Sequence, residues 1–106
     1  MESDMAMTWE ERTNETVKLF FRENIPSFSL TKEWMHAPFW HIEVEKDNVK
    51  IEIDGDIAFC IYIYIYGSKY SLWQYDRSVN DKLDTSKENI IYQLNVLKRF
   101  LNEVGY

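Results

Sequence analysis

Cysteine is nearly missing. Cys60 stands alone among 106 residues, so no disulfide can form within the chain, and a reducing cytoplasm is the expected compartment. A thiol in mid-strand with no histidine close in sequence gives no nucleophile and base pair, so a catalytic cysteine is not expected. Glycine is scarce too, at three residues, which leaves no glycine-rich loop to cradle a phosphate. The two histidines, His36 and His41, are not spaced to place two imidazoles on one helical face, and no metal site or cofactor is expected. By strand alternation His41 shares the polar face with Glu43 and reads as a surface histidine next to a carboxylate. Asp54-Gly55-Asp56 lacks the remaining ligands of a calcium loop and reads as a turn.

Positive charge is also in short supply: 12 Lys and Arg stand against 18 Asp and Glu, a net charge of −6. That balance repels phosphate backbones, and no RNP-type pattern is present, so nucleic acid is disfavoured and a basic or neutral-basic protein partner fits better. No run approaches the roughly 18 consecutive apolar residues of a membrane span. No membrane association is therefore expected, and the first seven residues are acidic and carry neither the cationic nor the apolar region of a secretion signal, so secretion by that route is not expected. The densest charged cluster elsewhere, Asp76, Arg77, Asp81, Lys82 and Asp84, has no nucleophile and base pair beside it. It reads as a solvated loop or the rim of an interface, and no enzymatic activity is expected.

What the chain does have is aromatic and aliphatic residues in strict order. Aromatics make up 16% and hydrophobic residues 45%, enough for residues 1–106 to form one domain around one core. The segment Ile57-Ala58-Phe59-Cys60-Ile61-Tyr62-Ile63-Tyr64-Ile65-Tyr66 alternates with period two, which predicts a long strand with an aliphatic face and a largely tyrosine face.

Around it the rest of the fold can be read. Thr8-Trp9-Glu10-Glu11 has the form of a capping box and opens a helix over about residues 9–23, which Pro26 stops. Residues 25–39 are too apolar for a solvated linker and predict a packed connection with a short edge strand or one helical turn near 31–36. Residues 40–75 read as a four-stranded antiparallel meander. An Asp47-Asn48 turn pairs Val44 with Ile51, Ile42 with Ile53 and Glu45 with Lys50. A three-residue Asp54-Gly55-Asp56 loop pairs Ile53 with Ile57, Ile51 with Phe59 and Val49 with Ile61. A Gly67-Ser68 turn pairs Ile63 with Leu72, Ile65 with Tyr70, Tyr62 with Trp73 and Cys60 with Tyr75. After a polar loop, the capping box Thr85-Ser86-Lys87-Glu88 opens a helix carrying Ile90, Ile91, Leu94, Leu97, Phe100, Leu101 and Val104.

Both helices need an apolar surface to lie on, and the aliphatic sheet face is the one of suitable size. The predicted fold is therefore α+β, a two-layer α-β-β-β-β-α sandwich with both terminal helices on one side. The other side is expected to carry Tyr62, Tyr64, Tyr66, Trp73 and Tyr75, with Glu43, Glu45 and Glu52 beside them. Large, stiff aromatic side chains next to carboxylates suit a protein interface. The expected function is a small acidic interaction module without catalysis. It would act as an inhibitor of the toxin-immunity or phage anti-defence kind by occluding a partner's surface. The rival expectation is a module that sequesters a small aromatic or nucleotide-like ligand, with a homodimer as one way to build the site.

Overall fold

The computed structural model describes residues 9–36, 39–55, 59–79, 84 and 86–106. It is an α+β arrangement in which helix α1 (Trp9–Asn24) precedes a five-stranded antiparallel sheet, β1 (Ser29–His36), β2 (Phe39–Lys46), β3 (Val49–Gly55), β4 (Phe59–Ile65) and β5 (Ser68–Ser71). The strands lie in sequence order. A one-turn helix α2 (Leu72–Tyr75), a 3₁₀ turn (Arg77–Val79) and the long helix α3 (Lys87–Glu103) follow.

Period-two alternation has the expected effect on the sheet. Ile42, Val44, Val49, Ile51, Ile53, Phe59, Ile61 and Ile63 are all buried and belong to one cluster with Val17, Phe20 and Phe21 of α1 and Ile90, Leu94, Leu97 and Leu101 of α3. Both helices thus bury their apolar stripes in a core shared with the aliphatic sheet face. α1 ends as Pro26 requires: the Ile25 N–H still donates to the Phe21 carbonyl at 2.9 Å, and Ile25 and Phe28 then turn into the core.

Four details differ from the sequence reading. The sheet has five strands, because the segment near 31–36 is a full edge strand of eight residues, all of them exposed. Its pairing with β2 slips at Thr31, between Leu30 and Lys32, a bulge that interrupts any clean alternation.

The β2–β3 register is the predicted one, but in the next hairpin Ile53 pairs with Ile61 rather than Ile57, a slip of four residues, and Gly55 is still in the strand, opposite Phe59. Gly55 serves there as a seat for an indole: a Cβ on it would lie 2.1 Å from Trp40 Cε2, so the side chain of its β2 neighbour fills the space a larger residue would need. Asp56 and Ile57 lie outside the described residues.

In the last hairpin the turn is Tyr66-Gly67, with φ of 50° and 83°, instead of Gly67-Ser68. Ile63 consequently pairs with Tyr70 and Tyr62 with Ser71. A two-residue turn matches the twist of its strands when both central residues have positive φ, and Tyr66 accepts that conformation next to the glycine. The Tyr66 N–H also donates to the Asn48 carbonyl at 3.0 Å, tying this tip to the neighbouring one.

Finally, the cap of α3 is Ser86, whose side chain accepts from the Asn89 N–H at 3.2 Å. Thr85, the predicted cap, and Thr8, the predicted cap of α1, lie outside the described residues.

Candidate functional site on the open sheet face

Opposite the core, the sheet presents cross-strand rows of polar and aromatic side chains, each set by the ladder register. One row runs Trp34, His41, Asp54, Cys60; the next runs Lys32, Glu43, Glu52, Tyr62, Ser71; the third includes Glu45, Lys50, Tyr64 and Lys69. Of the predicted contact residues, Tyr62, Tyr64, Glu43, Glu45 and Glu52 are thereby brought together on one surface.

Trp73 and Tyr75 are not on it. The chain leaves the sheet at Ser71 and coils into α2, where the Gln74 side chain accepts from the Ser71 N–H at 2.7 Å. Tyr75 packs edge-on to Phe100, with ring centroids 5.1 Å apart, and donates its hydroxyl to Glu103 at 2.5 Å. It belongs to the helical layer, and Trp73 is exposed on α2. The sequence did contain a signal for this: Ser71-Leu72-Trp73-Gln74 has the serine and glutamine spacing of a helix start. Tyr66 sits at the turn, at the rim of the face and 75% exposed.

The two central tyrosines are not bare rings. The Lys69 ammonium lies 4.3 Å from the centre of the Tyr62 ring, and the Lys50 ammonium 4.8 Å from that of Tyr64. Tyr64 also donates to Glu52 at 3.1 Å. Cations over phenol rings are held by the ring quadrupole, so these lysines half-cover the aromatic row. The more exposed aromatics are Trp34 and Phe39, 45% and 40% exposed, toward the β1 side of the same face.

The most tightly organised group was read only in part from the sequence: strand alternation put His41 beside Glu43 on the polar face, as a surface histidine next to a carboxylate. The structure buries the imidazole instead and adds Asp54 and Glu52 to the pair. His41 is 9% exposed, with Trp34 stacked on it at 5.7 Å and an interplanar angle of 15°. Its Nδ1 lies 2.5 Å from Asp54 Oδ1 and its Nε2 lies 2.7 Å from Glu43 Oε2. Glu52 stands directly across from Glu43, and Lys50 reaches Glu52 at 3.4 Å and Glu43 at 3.9 Å.

Burial works against a charged His41, but the hydrogen bonds and charges of Asp54 and Glu43 outweigh it and raise the imidazole pKa above its ordinary value. Burial likewise opposes ionisation of Glu43, and its bond to His41 together with the charges of Lys50, His41 and Lys32 more than compensates, holding the carboxyl below its usual range. Among the described residues, His41, Glu43 and Glu52 form the group of ligand-type side chains close enough to hold one metal ion, with donor atoms within 4.8 Å of one another.

A second feature flanks β1. Between α1 and the strand runs an open groove of about 360 Å³, floored by Phe21, Phe28, Leu30, Ile42 and Val44 and edged by Lys18 and Arg22. No helix among the described residues is long and apolar enough to cross a membrane. No family model matches the sequence, and no curated protein or solved structure matches it either.

Proposed function

We propose that this chain is a small, acidic, non-enzymatic interaction protein of the cytoplasm that acts by occupying the surface of another protein. The observation carrying this reading is the sheet itself: one face is packed under two helices, while the other holds Trp34, Phe39, Tyr62 and Tyr64 without a covering layer of the described chain. Aromatic side chains concentrate binding energy in little conformational freedom, and Glu43, Glu45 and Glu52 beside them favour a basic or neutral-basic partner. The contact is centred between β1 and β4, nearer Trp34 and Phe39 than the sequence pattern alone placed it. Inhibition by occlusion, of the toxin-immunity or phage anti-defence kind, is the simplest mechanism for a domain of this size.

The test is affinity capture of a partner from the native host with the wild-type chain and with a Trp34→Ala, Tyr64→Ala variant. The reading requires a specific partner that the variant loses while keeping wild-type helicity and cooperative melting. A partner held equally well by the variant would overturn it.

A further inference from the structure

The geometry points to a binding site for a divalent transition-metal ion formed by His41, Glu43 and Glu52 on the open sheet face, with Zn²⁺ as its best-matched occupant. It is independent of the protein-partner reading above.

The donors come from strand positions that the ladder fixes: His41 and Glu43 alternate along β2, and Glu52 is the direct cross-strand neighbour of Glu43. Sites on strands hold their ligands more accurately than sites on loops. Imidazole with two carboxylates is a donor set that suits Zn²⁺, and three protein ligands leave a fourth position for water or a partner's side chain.

Asp54 supplies the arrangement that usually orients a metal-bound histidine. When His41 Nδ1–H donates to Asp54 Oδ1, at 2.5 Å, the lone pair of Nε2 is left as the coordinating atom. That lone pair faces a Glu43 oxygen at 2.7 Å, a spacing that a shared proton spans and that a bound metal ion would widen. The surrounding charge favours a cation there. Glu43, Glu52 and Asp54 are three anions and the nearby cations are Lys50 and, opposite Glu43 in the ladder, Lys32, so around a neutral His41 one negative charge remains, for which a proton on Nε2 and a metal ion compete.

Burial makes the imbalance matter. The Glu43 and Glu52 side chains are only 12% and 19% exposed, and carboxylates directly opposed across a ladder repel. Lys50 relieves this incompletely, since at 3.9 Å it is too far from Glu43 for a hydrogen bond. Lys50 already lies over the Tyr64 ring, 4.8 Å from its centre, and can keep that contact when an ion takes the Glu52 carboxylate. Metal bonds of about 2.0–2.2 Å set tetrahedral donors about 3.3–3.6 Å apart, so Glu43 must move back from its 2.7 Å contact with Nε2 while Glu52 draws in, and the side-chain torsions of the two glutamates provide that movement. Trp34, stacked on the imidazole, shields one side from water.

The experiment uses the full chain stripped with EDTA and titrated calorimetrically with Zn²⁺, with Co²⁺ as a spectroscopic stand-in whose visible bands report coordination number. Expected are one saturable ion per chain, a melting temperature that rises with free Zn²⁺, and bands of a four- or five-coordinate Co²⁺ site. Asp54→Asn should weaken binding by about 10–100-fold through lost orientation of His41, and His41→Gln and Glu52→Gln by more. Glu23→Gln, at an exposed position of α1 away from the cluster, should bind as wild type.

Glu52→Gln removes a like-charge opposition and keeps the side chain's shape, so it is the variant expected to fold; its circular dichroism in EDTA verifies this. The assignment is overturned if the wild type shows no saturable uptake, or if folded Glu52→Gln and His41→Gln bind as the wild type does. It is equally overturned if the ¹⁵N shifts of His41 remain those of a doubly protonated ring under excess Zn²⁺. Loss of a protein partner with metal uptake intact would leave it standing.

Discussion

Replacing Gly55 by alanine should destabilise this protein, although the backbone there gives no reason for it. Gly55 lies in a strand and is not among the residues with positive φ, so the exchange would ordinarily stabilise by about 0.4–1 kcal/mol through reduced freedom of the unfolded chain. The new methyl would, however, lie 2.1, 2.3 and 2.4 Å from Cε2, Nε1 and Cζ2 of Trp40. No carbon contact survives at those distances, so something must move. The indole is 3% exposed and wedged against Phe59, with centroids 6.2 Å apart. It can yield only by displacing core or parting β2 from β3.

Overpacking of this kind costs about 1–3 kcal/mol, which for a domain near this size lowers the melting temperature by roughly 4–8 °C per kcal/mol. Thermal and urea melts of Gly55→Ala measure the loss, and a cycle with Trp40→Phe identifies its source: the smaller ring should recover part of it, so the double variant is less damaged than the sum of the two. Gly67→Ala provides a contrast, because a Cβ there meets nothing within 4 Å and any cost, about 1 kcal/mol, comes from its φ of 83° alone. A Gly55→Ala protein as stable as wild type, or more so, would refute the packing argument.

Three further outcomes are expected. Leu94→Ala, at a fully buried position on α3, should cost about 2–5 kcal/mol in urea unfolding, the range for emptying a core site. Ser86→Ala removes the acceptor for the Asn89 N–H and should cost about 1 kcal/mol, whereas Thr85→Ala should cost much less, since Ser86 is the cap. In EDTA, the stability difference between wild type and His41→Gln should depend on pH in one direction. The raised pKa means that the imidazolium's contribution is fully present below the ordinary value of about 6.5 and is lost as pH rises through the folded value, so the gap should be widest in mild acid and close in alkali.

The sequence revealed which side of each strand is buried far better than which residues are neighbours, and the reason lies in the period of a strand. Ile53 belongs on the aliphatic side whether it meets Ile57 or Ile61, and Ile63 whether it meets Leu72 or Tyr70, because both slips are even and preserve the face. Register depends instead on where a strand ends, and that was settled by an indole over Gly55 and by a tyrosine tolerating positive φ, neither of which periodicity encodes. β1 was hard to read because it is exposed on both sides and bulged, so no burial pattern was imposed on its residues. Trp73 and Tyr75 looked like a continuation of the tyrosine row only while the strand was assumed to pass Ser71. The His41 cluster was half legible: alternation gave the pair His41 and Glu43, and the correctly predicted β2–β3 pairing places Glu52 and Asp54 beside them, but period two alone does not say that the imidazole is buried.

The bulge at Thr31 has a consequence for how the molecule breathes. Outside its ladder to β2, β1 is fastened by modest ties, among them the Lys18 ammonium to Glu33 at 3.2 Å and the stacking of Trp34 on His41. Such a strand should detach and re-zip without global melting, and its amide protons should exchange with deuterium well ahead of those of β3 and β4. Each detachment lifts the tryptophan from the imidazole, so solvent access to His41 should follow the opening of the outermost strand rather than the unfolding of the whole domain.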